Sequence, residues 1–120
     1  MLDLTQKTFD VLFAPNVTSR LLKIDSFDPK TGSFEATMTR LKPKPRSTPV
    51  RGSLESTGTI HFTNQNSQFS YEIFDGALAN TDVDLLWMAG SFETIQTLRT
   101  GGPSPQVYFP FYATEQNPVG

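Results

Sequence analysis

The chain has 120 residues with nine prolines, eight glycines, one histidine, no cysteine and a net charge of −2. That length predicts one domain over residues 1–120, large enough to bury a core without staples. The missing cysteine excludes disulfides and thiolate metal sites. No apolar run approaches the ~20 residues of a bilayer span, and the N-terminal ten residues lack the basic and apolar regions of a signal peptide. A cytoplasmic location with no membrane partner is the expectation.

In chain order, apolar residues alternate with polar ones almost everywhere. Phe9, Val11 and Phe13 predict a first strand, ended by Ala14-Pro15-Asn16. "SRLLKID" predicts a second. Asp28-Pro29-Lys30-Thr31-Gly32 is a turn: Pro29 presets φ, Asp28 can accept from the following backbone, and Gly32 can take positive φ. "SFEATMTRL" alternates cleanly, with Phe34, Ala36 and Met38 on one face. A proline-rich loop follows. "VRGSLESTGTIHFT" is extended again, with Gly52 and Gly58 as candidate bulges or bends. Asn64–Ser67 is a hairpin loop, "QFSYEIF" a strand, and Asp75-Gly76 its end. "VDLLWMAGSFETIQTLR" holds two strand lengths bent near Gly90, and "QVYFPFYAT" closes the chain, with Pro110 calling for an edge-like or bulged position.

Some eight short strands with frequent turns and no helix predict an all-β fold. The favoured form is an eight-stranded antiparallel up-and-down β-barrel, with a β-sandwich as the alternative.

Charge is uneven. Residues 1–51 hold nine Lys/Arg against five Asp/Glu, and residues 52–120 hold one against seven. Arg40, Lys42, Lys44, Arg46 and Arg51 crowd one stretch. Three prolines and no interleaved aromatic there favour a solvated loop over a phosphate patch, so no nucleic-acid partner is expected. His61 stands alone in mid-strand with no second ligand at metal spacing. Asp82 and Asp84 form an i, i+2 carboxylate pair, common at strand entrances. No metal, cofactor or catalytic constellation emerges.

The aromatics say more: ten Phe, three Tyr and one Trp. Phe34, Phe62, Trp87 and the Tyr108–Tyr112 segment come from four strands. They form either a core or a small-molecule cage.

"LLKIDSFDPKTGSFEATM", "GTIHFTN" and "LLWMAGSF", in that order over about residues 12–100, resemble successive strands of the avidin and streptavidin family. The resemblance implies an eight-stranded barrel, a deep biotin site at one mouth, and a homodimer or homotetramer. It gives Asn16 and Ser19 the parts of the ureido-oxygen donors. The cradle tyrosine falls on Phe34 and the following serine on Ala36. The first cage tryptophan falls on Phe62, and the second is retained as Trp87. The family's final aspartate has no counterpart, Glu115 being the nearest acid. Each lost hydrogen bond costs on the order of 1–3 kcal/mol.

The expectation is therefore a non-catalytic, avidin-like, calycin-like barrel with ligand-binding residues Asn16, Ser19, Phe34, Ala36, Phe62 and Trp87. Its ligand is small and apolar or biotin-related, biotin itself binding weakly or not at all. The alternatives are a solid-cored oligomerisation module, and a cavity-based isomerase or cyclase using Glu35, Glu72 or Glu93.

Overall fold

Period-two alternation resolves into eight strands: β1 Thr8–Phe13, β2 Thr18–Phe27, β3 Ser33–Arg40, β4 Arg46–Leu54, β5 Thr59–Gln65, β6 Ser70–Asn80, β7 Leu86–Gln96 and β8 Tyr108–Glu115. The computed structural model describes residues 3–13, 18–41, 44–65, 70–80, 85–96 and 108–116. Each strand pairs antiparallel with the next in sequence, and β8 returns to β1, closing an up-and-down barrel. Closure leaves no sheet edge.

The Asp28–Gly32 turn is built as its residues dictate. The Lys30 amide donates to Asp28 Oδ1 at 2.9 Å, the Gly32 amide donates to Asp28 O at 2.8 Å, and Gly32 has φ +80°. A Cβ at Gly32 would collide with the Leu54 carbonyl, so both conformation and space require glycine.

Five local readings are corrected, the first being the Asn64–Ser67 loop, because Asn64 and Gln65 still belong to β5 and pair with β6. The sheet irregularity lies in β2 at Asp25, between the Ile24–Ala36 and Ser26–Glu35 pairs. Gly52 instead pairs regularly with Phe34 and Phe62, while Gly58 does form a bend, with φ +96°, in the β4–β5 turn. The proline-rich segment is already strand from Arg46, because Pro49 projects outward and its missing N–H costs one ladder bond. β6 runs straight through Asp75-Gly76, since β5 and β7 both pair with it there. β7 is one continuous strand through Gly90. Pro110 does sit at a one-sided position: it pairs with Ser91 of β7, whereas β1 pairs only with residues 111–115 of β8.

The interior is filled from wall to wall. One inward cross-strand row runs Phe34, Gly52, Phe62, Phe74, Phe92 and Phe109 over six neighbouring strands. Phe62 stacks on Phe74 at 4.6 Å and Phe74 on Phe92 at 5.1 Å. Phe111 meets Phe74 edge-on at 5.1 Å, and Phe13 meets Phe92 edge-on at 5.0 Å. These are the offset and T-shaped arrangements that aromatic quadrupoles favour. Below them Val11, Ile24, Ile60, Leu78, Leu86 and Met88 extend the core, and Leu4 is fully buried. That end is closed by Glu115, whose Oε2 accepts from Lys7 Nζ at 3.1 Å and whose Oε1 accepts from the Leu86 amide at 2.9 Å.

Candidate functional site

The other end of the barrel is where β2, β4, β6 and β8 begin and β1, β3, β5 and β7 finish. Its inward positions carry polar side chains, in contrast to the phenylalanine row beneath. Arg20 on β2 forms a two-pronged ion pair with Glu72 on β6: Nη1 donates to Oε1 at 2.7 Å and Nη2 to Oε2 at 3.2 Å. The Glu72 side chain is 5% exposed and that of Arg20 18%. Asn64 on β5 donates to Glu72 Oε1 at 2.9 Å, and Thr48 on β4 donates to Asn64 Oδ1 at 2.6 Å. Arg20 also lies 4.5 Å over the Phe13 ring and 3.5 Å from Met38 Sδ. The network thus joins four strands across the barrel and satisfies a buried carboxylate and a buried amide, which would be costly alone.

Above it lies a cavity of about 140 Å³ lined by Arg20, Met38, Arg40, Arg46, Thr48 and Asn64. Larger grooves, of about 490 and 650 Å³, flank the Asp28–Gly32 turn at the closed end. The mouth cavity is the one whose walls include a network of convergent, buried polar groups, the usual mark of a small-molecule site.

The expected site residues divide. Phe34 and Phe62 are buried together, ring centroids 6.2 Å apart, and Ala36 lies on the same inward face as Phe34. They belong to the packed layers, and none of them lines the mouth cavity. Ser19 and Trp87 face outward, out of reach of anything inside the barrel. Ser19 alternates with inward Arg20, and Trp87, 40% exposed, alternates with inward Leu86 and Met88. Asn16 lies outside the described residues, as do Asp82 and Asp84. Glu115, the nearest acid to the family's final aspartate, is at the closed end.

His61 is paired with Asp75 across β5 and β6 on the outer surface. Among the described residues no group of three or more His, Asp or Glu side chains is placed to hold a metal. Among the same residues no helix is long and apolar enough to cross a membrane. Of the three glutamates considered as an acid, Glu72 is held by Arg20 and Asn64, and Glu35 sits outside near Arg51 at 3.7 Å. Glu93 also faces outward, on β7, opposite Tyr108.

Sequence reasoning missed Arg20, Thr48 and Asn64, and raised Glu72 only as a candidate acid, not as a partner of Arg20. The available signal was pairing of opposite types: an arginine and a glutamate each at an inward phase of its strand. The phase itself needs the barrel.

Solved structures resemble this architecture. Apo shwanavidin in its P1 form superposes with a TM-score of 0.72 at 13% identity, covering 97% of this chain and 98% of that one. The bradavidin2–biotin complex superposes at 0.65 with 18% identity, covering 89% and 94%. The rhizavidin–biotin complex superposes at 0.63 with 9% identity, covering 91% and 99%. No protein-family model matches the chain, and no curated protein matches it in sequence. At such identities the likeness is one of architecture, and its architecture is that of an avidin-like barrel.

Proposed function

We propose that the protein is a non-catalytic binding barrel that takes a small molecule at its mouth, in the cavity between Arg20, Met38, Arg40, Arg46, Thr48 and Asn64. The observation that carries this reading is that cavity, of about 140 Å³, set over a fully bonded polar network. An enclosed cavity of about 150 Å³ takes a molecule the size of benzene. The seat therefore suits a ligand of a few heavy atoms, or one end of a longer one. It is shallower and more polar than the apolar pocket expected from the alternation of Phe34, Ala36 and Met38. The bradavidin2 and rhizavidin structures hold biotin. In this chain a deep biotin seat would have to displace the Arg20–Glu72 pair or the phenylalanine stack. Biotin is accordingly expected to bind no more tightly than about 1 μM, a binding free energy of about −8 kcal/mol.

Methionine methyl labelling tests the reading. Met38 lines the cavity, whereas Met88 is sealed among apolar side chains in the core. Titration with a panel of small neutral and charged compounds should move the Met38 methyl resonance and leave that of Met88 in place. A panel that moves neither, or moves both together, overturns it.

A second reading concerns self-association, and we propose a homodimer or homotetramer that uses the outer face of β7 and β8. Trp87, Tyr108 and Tyr112 are exposed there, and Glu93 on the same face has a buried Oε2 with no hydrogen-bond partner among the described residues. Aromatic side chains on an exposed face are typical interface anchors. Sedimentation should find an oligomer that Tyr112→Glu dissociates. A wild-type monomer at high micromolar concentration would dispose of this second reading.

A further inference from the structure

We infer that the mouth cavity recognises an oxyanion, the carboxylate or phosphate group of a small ligand; this rests on the reading of the mouth as the binding site. The ground is a row of three arginines. Arg20 on β2 pairs directly with Arg40 on β3, and Arg40 pairs directly with Arg46 on β4. All three occupy inward phases of their strands, and all three line the cavity. Like charges placed directly opposite one another on neighbouring strands oppose folding. Here two such pairs stand side by side.

Glu72 answers the Arg20 charge, through its two-pronged bond. The Arg40 side chain has no hydrogen bond or ion pair with any described residue. The guanidinium group is the side chain best suited to a two-oxygen acceptor, because its planar fork gives two parallel N–H donors. Thr48 and Asn64 complete the wall. Their hydrogen bonds to one another and to Glu72 keep the floor of the cavity fixed. A cleft lined by one sign of charge over an apolar interior also focuses its field on an arriving ion. Together these features give the ligand a class: a small anion whose oxygens lie between the Arg40 and Arg46 forks and whose remainder extends outward. The arginines of the basic stretch Arg40–Arg51 thereby separate. Arg40 and Arg46 belong to the cavity, and Arg51 faces outward beside Glu35.

The test uses the full chain with labelled methionine methyls and four probes: inorganic phosphate, succinate, the neutral succinamide, and a short single-stranded oligothymidylate. Phosphate or succinate should shift the Met38 methyl in a saturable way, while succinamide does not. Saturation by phosphate alone assigns a phosphate ligand, by succinate alone a carboxylate, and by both a general oxyanion site. Affinity should fall at least about tenfold in the Arg40→Gln/Arg46→Gln double variant, with partial recovery in the corresponding lysine double variant. It should also fall as salt rises from about 50 to 500 mM, a readout on the unaltered protein that needs no variant to fold. Succinamide binding as well as succinate, or anion binding indifferent to both salt and Arg40/Arg46, overturns the oxyanion assignment while the mouth reading stands. Arginine-dependent binding of the oligothymidylate without either small anion overturns it in favour of a nucleic-acid surface. A Met38 methyl that no probe and no panel compound moves removes both.

Discussion

Arg20 and Glu72 are the residues at which this barrel departs most from a simple apolar interior. Their ion pair is mostly buried, and each carries a desolvation cost that the pairing offsets. Removing one partner exposes that cost. Glu72→Ala leaves the Arg20 guanidinium against Phe13 with no carboxylate, and Asn64 loses its carboxylate acceptor. The expected loss is about 3 kcal/mol, the lower end for a buried pair, because Arg20 still reaches the cavity. The double change Arg20→Met/Glu72→Leu removes both charges and keeps the volume. It should restore the stability to within about 1 kcal/mol of wild type or exceed it. Urea unfolding midpoints measure both; a double variant as unstable as Glu72→Ala would show that the pair itself supports the fold.

At the scale of strands, the phenylalanine row depends on one absent side chain. Gly52 stands between Phe34 and Phe62, and a Cβ there would lie 2.4 Å from the His61 carbonyl oxygen, 2.5 Å from Phe62 Cβ and 2.6 Å from Phe34 Cζ. Gly52→Ala should therefore cost about 1–3 kcal/mol by overpacking. Phe34→Leu in the same chain should leave most of that loss in place, because the His61 carbonyl and Phe62 Cβ remain, which thermal unfolding of the single and double variants checks. Much of this level was legible beforehand. The Asp28–Gly32 turn and the clean alternation of β3 follow from local chemistry, and β3 shows the predicted shared face of Phe34, Ala36 and Met38. The rest was hidden for definite reasons. In β6 the apolar Tyr71 and Ile73 lie outside and Glu72 inside, so period two reports alternation without reporting which face is inward. Asp75-Gly76 has the composition of a strand end, but two paired neighbours hold it in the sheet. Arg20 reads in sequence as the charged flank of "SRLLKID"; its partner is 52 residues away. The candidate site was less legible than the fold for that reason: its members converge only when four strands close.

For the molecule as a whole, each strand pairs with its neighbours in sequence, save for the seam where β8 meets β1. At that seam Phe9 lies opposite Glu115, and the Gln116 amide donates to Thr8 O at 2.8 Å. The start of β1 and the end of β8 lie at the closed end of that seam, away from the mouth cavity. Chain order is then incidental to the barrel's shape: eight staves in a ring have no first member. A circular permutant joining residue 116 to residue 3 by a short glycine-serine linker, and opened between Ser56 and Thr57 in the exposed β4–β5 turn, should fold to the same barrel. Its methyl spectrum should retain the Met38 and Met88 positions. The cut falls at the closed end as well, so the ring of strands offers a place for new chain ends that leaves the mouth untouched.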